Sequence, residues 1–286
     1  MIPVTHFYAL HGLSDRVRQG IFADFADAGG KHIVLTDHCV GQIMTDTAFA
    51  KKLMAETKAA GVSFLDAHAP FGILSDLCLP FDEYRGLMLT RTNYAIEIDN
   101  LFGLDTITIH VGSGMPVYEG KTDVKLLCDY TRRSLEELLP VAEKNGVVIC
   151  IENIWSPITT AERLLEFIDY FKSPWLGICY DAGHAHIASK PREVPNNADK
   201  CWGAFGLPVG WDEHTLEKLL PEIVNCHLHD NHGLVDEHFL PGKGLIDWKH
   251  VMGLLKTAPK IRLIQNEAND GGIAERVHCF EKLMNL

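Results

Sequence analysis

The segments FLDAH (64–68), TITIH (106–110) and VICIE (148–152) share one pattern, a short and largely apolar run that ends on a histidine or a glutamate. The later segments GICYD (177–181), IVNCH (223–227) and RLIQNE (262–267) repeat it. The residues that end these runs are separated by 42, 42, 29, 46 and 40 positions. Such spacing is typical of the strand–loop–helix–loop unit of a (β/α)8 barrel, which builds its active site at the C-terminal ends of its strands. The pattern therefore predicts that these polar residues converge on one pocket.

Strand-like and helix-like segments alternate along the chain, which favours a parallel sheet with crossover helices. The clearest helix is predicted for residues 122–145, where Asn145-Gly146 is a C-cap signal, and Ala60-Gly61 is a similar signal before the third strand. An open sheet would show the same alternation, but polar residues at six successive strand ends favour closure. We therefore predict an α/β fold, a single (β/α)8 TIM-barrel domain over residues 1–286. Its eight strands are expected near residues 4–10, 32–36, 62–67, 105–111, 147–152, 176–181, 223–229 and 261–266.

The chain has 286 residues, of which 47% are hydrophobic, and its formal net charge is −12. This charge gives no support to non-specific nucleic-acid binding, which depends on Lys and Arg facing phosphates, although a local basic groove stays compatible with it. No apolar run is long enough for a spanning helix, and the N-terminal MIPVTHFYAL is interpreted as a first strand and not as a signal peptide. The eight scattered cysteines form no CxxC pair and predict reduced, buried thiols in a cytoplasmic protein.

Carboxylates and imidazoles at six strand ends predict a metal site. A single histidine at a strand end usually does no more than bond a neighbouring loop, and five histidines are interpreted in that way: His6, His32, His214, His250 and His278. The joint pattern is different, because buried carboxylates cost several kcal/mol unless a cation compensates them. Mixed nitrogen and oxygen ligands suit Zn²⁺, Mn²⁺, Co²⁺ or Fe²⁺.

Three stretches resemble the xylose isomerase-like TIM-barrel superfamily: IENIW (151–155), YDAGHAH (180–186) and CHLHDNHGLVDEHFLPGKGLIDW (226–248). This superfamily includes sugar isomerases and epimerases, inosose dehydratases and endonuclease IV (AP endonuclease family 2). The resemblance covers nearly the whole chain. It implies a metal-dependent enzyme, but it leaves the reaction open between two models.

In the first model the chain is a divalent-metal-dependent isomerase or epimerase of a sugar, sugar phosphate or polyol. The ketose 3-epimerase-like members hold one metal with four ligands, and the matching residues are Glu152, Asp181, His227 and Glu267. In those members the two glutamates also form the acid/base pair that produces an enediolate, so Glu152 and Glu267 are the predicted catalytic residues. His184 matches a histidine that contacts the substrate.

In the second model the chain resembles endonuclease IV, a phosphodiesterase with three zinc ions. All nine of its ligands have counterparts here: His68, His110, Glu152, Asp181, His184, His227, Asp236, His238 and Glu267. The sequence motifs around these ligands differ from those of the nuclease. The loops that correspond to its DNA-reading loops are acidic or apolar. We therefore expect one to three ions of Zn, Mn or Co per chain, and we prefer the sugar enzyme.

Further expectations concern the pocket wall and the partners of the chain. Trp155 follows a ligand-bearing strand and can stack on a sugar face, His38 follows the second strand, and Lys243 in PGKG can hold a phosphate or a hydroxyl group. The expected partner is a small sugar-like molecule, with nucleic acid less favoured and no membrane partner. Barrels of this type often pair, so a homo-oligomer is compatible with the sequence. A non-catalytic metal- or sugar-binding barrel is a third interpretation, disfavoured because no ligand is missing.

Overall fold

The computed structural model describes residues 2–112 and 123–286, and its centre is a closed barrel of eight parallel strands in sequence order. The predicted (β/α)8 fold is thereby confirmed. The strands lie at or inside the predicted ranges, apart from small shifts at their ends, and the first is shorter than predicted because residues 7–10 are irregular. Their bounds are β1 Val4–His6, β2 His32–Leu35, β3 Ser63–His68, β4 Thr106–Ile109, β5 Val148–Glu152, β6 Leu176–Asp181, β7 Ile223–Leu228 and β8 Leu263–Asn266.

Eleven α-helices surround the barrel in the described parts of the chain. The helix predicted over 122–145 spans Val124–Asn145 and is capped by Asp123, while residue 122 lies outside the described residues. Both predicted C-caps are present, since Gly61 and Gly146 have φ values of 74° and 71°, which glycine adopts without strain. The helices are α1 Asp15–Asp27, α2 Asp37–Thr45, α3 Thr47–Ala60, α4 Asp82–Leu101, α5 Val124–Asn145, α6 Ala161–Phe171, α7 Ala182–Ile187, α8 Asn197–Ala204, α9 Thr215–Leu219, α10 Trp248–Leu255 and α11 Ile273–Met284.

The main hydrophobic core lies between the strands and the surrounding helices and is continuous around the barrel. A second, small apolar cluster contains Val148, Cys150, Cys179 and Val224. All eight cysteines are free thiols and seven of them are buried, as predicted. None of the described helices combines the length and apolarity needed to cross a membrane.

A buried ion pair joins α1 to α3. Arg18 is 2% exposed, and its guanidinium donates to both carboxylate oxygens of Glu56 at 2.6 and 2.7 Å. Asp15 also accepts from Arg18 at 2.8 Å, but its carboxylate is half exposed. Removing one partner of such a pair leaves an uncompensated buried charge, which is costly.

Replacing Glu56 with Ala is therefore expected to lower the free energy of unfolding by about 3 kcal/mol, measured by urea denaturation. Lys52→Ala is the matched control on the same helix, because Lys52 pairs with Asp15 at an exposed surface position. Its expected effect is below about 1 kcal/mol. Equal losses in the two variants would contradict the role given to the buried pair.

Candidate metal centre

Glu152, at the end of β5, lies at the centre of a ring of four histidines, of which His68, His184 and His227 are buried. Its Oε2 atom lies 3.0 Å from His110 Nε2 and 3.8 Å from His68 Nε2, and its Oε1 atom lies 3.2 Å from His227 Nδ1 and 3.3 Å from His184 Nδ1. These histidines belong to segments up to 159 residues apart that the closed barrel brings together. All nine predicted ligands lie at this end of the barrel: seven line one cavity, and the buried Asp181 and His227 contact residues of that wall.

Four of these residues form what we term the strand-end group: Glu152, Asp181, His227 and Glu267. His227 Nδ1 lies 3.2 Å from both Glu152 Oε1 and Glu267 Oε1. Donor atoms of Asp181, His227 and Glu267 all lie within 4.8 Å of one another. Three carboxylates and one imidazole form a mixed oxygen and nitrogen donor set, which fits Zn²⁺, Mn²⁺ or Co²⁺.

A second set of donors, the loop-side group, is formed by His184, His229, Asp236 and His238. The Nε2 atoms of His184 and His238 lie 3.3 and 3.0 Å from Asp236 Oδ2, and His229 Nε2 lies 3.6 Å from Asp236 Oδ1. Ligands of a tetrahedral zinc ion lie about 3.3 Å from one another when the zinc–ligand distance is about 2.0 Å. Donor atoms of His229, Asp236 and His238 lie within 4.8 Å of one another, a spacing compatible with three ligands of one zinc ion.

Hydrogen bonds at the outer ring nitrogens orient three of the histidines. His68, His184 and His238 each direct Nδ1 at a backbone carbonyl, on Ala69, Asn153 and Glu267, at 2.8, 3.1 and 3.1 Å. An Nδ1–H that donates to a carbonyl leaves the Nε2 lone pair free in neutral imidazole, which is the usual arrangement of a metal ligand. The buried oxygens Glu152 Oε2 and Asp236 Oδ1 accept no hydrogen bond from the described residues, although imidazole nitrogens face them. These oxygens fit a role as metal ligands.

His229 was not among the sequence-based candidates. It is fully buried, and as a member of the loop-side group it also contacts the strand-end group. Its Nε2 atom lies 3.2 Å from Asp181 Oδ2. Gly183 makes room for the ring, since a Cβ atom at that position would lie 2.0 Å from His229 Cε1. The signal that could have identified it is the period of two along a strand, which places His229 on the same face as His227.

The loop between β7 and α10 contains Asp236 and His238. The side chain of Asp230 anchors this loop by hydrogen bonds. The Asp230 carboxylate accepts from the backbone N–H groups of Gly242 and Ile246 and from Trp248 Nε1. His238 has a φ of 51°, an uncommon value for a residue other than glycine. Such backbone strain often occurs at functional sites, where the surrounding contacts hold it.

Neighbouring opposite charges lower the pKa of Glu152 and raise the pKa values of His227 and His238. Burial alone would raise the pKa of Glu152, but the positive charge of His227 and contacts with His110 and His184 lower it well below its usual range. Burial alone would lower the pKa of His227, but Glu267 and Glu152 raise it to about 10. Burial is likewise outweighed at His238, where Asp236 raises the pKa to about 9. Without a metal, the buried carboxylates are thus compensated by protonated imidazoles.

The cavity above the ring has a volume of about 620 Å³. The predicted substrate residues His38 and Trp155 line it, together with His11, which stacks on His38 at 4.0 Å between ring centroids. Lys243 lies outside the cavity, and its ammonium group pairs with Asp270 and Glu275. No Lys or Arg lines the cavity among the residues that the structure describes. The further lining residues include Phe7, Asp37, Phe71 and Asn269.

Comparison with known proteins places the chain in a family. The family model for the xylose isomerase-like TIM barrel matches residues 22–269, and the chain belongs to this family. The chain is 30% identical over 193 residues to the uncharacterized protein MJ1311 of Methanocaldococcus jannaschii, a match that covers 66% of this chain. It spans about three fifths of the length of the curated relatives it matches, 59% and 63% in the two cases.

Two solved structures share the fold over the whole chain. A D-tagatose 3-epimerase-like protein is 23% identical with a TM-score of 0.76, and the match covers 100% of this chain and 97% of that protein. The 3-keto-D-glucoside 4-epimerase YcjR of E. coli is 15% identical with a TM-score of 0.72 and full coverage of both chains. At these identities the likeness concerns the fold.

Metal binding is expected to release protons. The pKa values of His227 and His238, about 10 and about 9, lie above pH 7.5, so both imidazoles carry a proton there in the metal-free protein. A metal ligand must be neutral imidazole, so each bound ion should displace about one proton or more, and affinity should rise with pH. Calorimetric titration with Zn²⁺ or Mn²⁺ at pH 7.5 in buffers of different ionisation enthalpy measures this release. Equal observed enthalpies in all buffers would contradict the prediction.

Proposed function

We propose that the protein is a divalent-metal-dependent isomerase or epimerase of a sugar-like substrate, with Glu152 and Glu267 as its acid/base pair. The observation that carries the proposal is that both glutamates lie 3.2 Å from His227 Nδ1 and also line the cavity. They come from β5 and from the end of β8, so they approach the cavity from different sides of the barrel. A substrate held between them would have a carboxylate available on each side.

The strand-end group would hold the ion. A divalent ion bound there supplies positive charge that polarises the substrate's carbonyl and stabilises the enediolate formed when the α-proton leaves. One glutamate then removes the proton from the carbon next to the carbonyl, and the other returns a proton to the substrate. An epimerase returns it to the opposite face of the same carbon, whereas an isomerase returns it to the neighbouring carbon.

The walls of the cavity suit a sugar. Phe71 and Trp155 offer aromatic faces, while His11, His38 and Asn269 offer hydrogen-bonding groups. Such a mixture of aromatic surface with a few placed polar groups is typical of small-molecule sites. Because no Lys or Arg lines the described part of the cavity, and Asp37 does, the wall favours an unphosphorylated substrate. The D-tagatose 3-epimerase-like protein and the 3-keto-D-glucoside 4-epimerase that share the fold also support a sugar substrate.

Glu152→Gln and Glu267→Gln are each expected to reduce solvent deuterium incorporation into a ketose substrate at least about 100-fold, since each removes a general acid/base group. The assay uses the manganese-loaded protein with a panel of free ketoses and the matching ketose phosphates, monitored by NMR. Glu237→Gln is the control, because Glu237 neighbours Asp236 but binds His232 outside the cavity.

Deuterium exchange at wild-type rates in both glutamate variants would contradict the assignment of the acid/base pair. Absence of exchange with the whole panel, in protein shown to hold metal, would count against sugar chemistry. Exchange with ketose phosphates alone would support the proposed isomerase or epimerase class but contradict the preference for an unphosphorylated substrate.

A second candidate function is a zinc-dependent phosphodiesterase of the endonuclease IV type, with abasic DNA as substrate. The loop-side group favours it, because a one-metal epimerase does not require four further donors beside its strand-end group. In such an enzyme several ions stabilise the attacking and leaving oxygens. The acidic net charge and the lack of cations among the described cavity residues count against a DNA substrate.

Under this second function, zinc-loaded protein should hold at least two ions per chain and cleave a duplex that contains an abasic site. Gly183→Ala should reduce both the number of bound zinc ions and the rate of cleavage, because the added Cβ would displace the His229 ring from the loop-side group. Gly253→Ala in α10 is the matched control, since a Cβ there meets nothing within 4 Å. A single ion per chain in excess zinc, by elemental analysis, would exclude the phosphodiesterase.

A further inference from the structure

Several polar side chains lie in the barrel interior beneath the strand-end group. TIM barrels usually fill their interior with layers of branched aliphatic residues. Here Asp66, Thr106, Thr108 and Asn225 bond to one another across the barrel, and all four are fully buried. Buried polar groups are costly unless they are fully paired, so the fold by itself favours aliphatic residues at these positions.

The four residues form one hydrogen-bonded chain that ends at His227. Thr106 Oγ1 donates to Asp66 Oδ1 at 2.8 Å, and Asn225 Nδ2 donates to Asp66 Oδ2 at 3.3 Å and to Thr108 Oγ1 at 3.1 Å. Thr108 Oγ1 in turn lies 3.3 Å from His227 Nε2. The contact between Thr108 on β4 and Asn225 on β7 crosses the barrel interior, because β4 and β7 are not neighbouring strands.

His227 differs from His68 and His238 in the nitrogen that it presents. His68 and His238 bond backbone carbonyls through Nδ1 and present Nε2. His184 Nδ1 faces both the Asn153 carbonyl and Glu152 Oε1, at 3.1 and 3.3 Å. His227 instead presents Nδ1 to Glu152 and Glu267, and its Nε2 atom faces Thr108. For Nδ1 to bind an ion, the proton of the neutral ring must lie on Nε2, and the hydroxyl oxygen of Thr108 has two lone pairs with which to accept from His227 and Asn225.

We propose that Thr108, held in place by Asn225 and Asp66, is a positioning residue that fixes the tautomer and the ring orientation of His227 for metal binding. Groups that bond the outer nitrogen of a metal-bound histidine commonly affect metal affinity by 10- to 100-fold. The proposal rests on the metal-binding role proposed for His227, and it holds for either candidate reaction.

The test compares Thr108→Val, which keeps the shape and removes the hydroxyl group, with Thr108→Ser, which keeps the hydroxyl group. In Thr108→Val the dissociation constant for Zn²⁺, measured by competition with a chromophoric chelator, should rise about 10- to 100-fold. Thr108→Ser should restore most of the affinity. Thr131→Val is the matched control, because Thr131 is equally buried but donates to the Leu127 carbonyl within α5. Its affinity for zinc should equal that of the wild type.

Nitrogen-15 NMR of the imidazoles in zinc-loaded wild-type protein provides a second readout that needs no variant. It should show His227 bound through Nδ1 with its proton on Nε2. Wild-type zinc affinity in Thr108→Val, or a His227 that binds zinc through Nε2, would overturn the role of Thr108. Wild-type protein that binds no divalent metal would overturn the proposed function itself, so the two failures are distinguishable.

Discussion

The buried carboxylate of Glu152 is the constraint on which the functional end of the barrel depends. It is 1% exposed and faces imidazoles from four separate segments of the chain. An isolated charge at that depth would be strongly destabilising, so the surrounding groups must supply positive charge. Protonated imidazoles can do so in the metal-free protein, and a divalent ion can do so when it is bound. The same group of side chains can therefore compensate its charge in either state.

The barrel and the ring of donors were largely predictable from the sequence, because both follow from local patterns. Six of the eight strands are short, mostly apolar runs that end on or directly before a residue of ligand type, as at His68, Glu152 and Asp181. Closure of a parallel sheet then brings the strand ends together without any further information. The positions of β1 to β8 could be predicted to within a few residues for the same reason.

Features that depend on contacts between distant segments could not be predicted in this way. The role of His229 depends on the space left by Gly183, 46 residues earlier in the chain. The position of Lys243 depends on its pairing with Asp270 and Glu275, which turn its charge away from the cavity. The preference of His227 for Nδ1 becomes visible only when Thr108, from the other side of the barrel, is placed against its Nε2 atom. Neither the secondary-structure propensities nor the spacing of residues in the sequence indicates such contacts between distant segments.

The two donor groups differ in how the chain carries them. The strand-end group belongs to the barrel itself, whereas Asp236 and His238 belong to a single loop that Asp230 anchors through Gly242, Ile246 and Trp248. Insertions and replacements within such a loop are tolerated far better than changes in a barrel strand. A related chain could thus gain or lose the loop's two donors during evolution while keeping its strand-end group. This modular arrangement offers a physical route by which the number of donor side chains can change while the barrel stays the same.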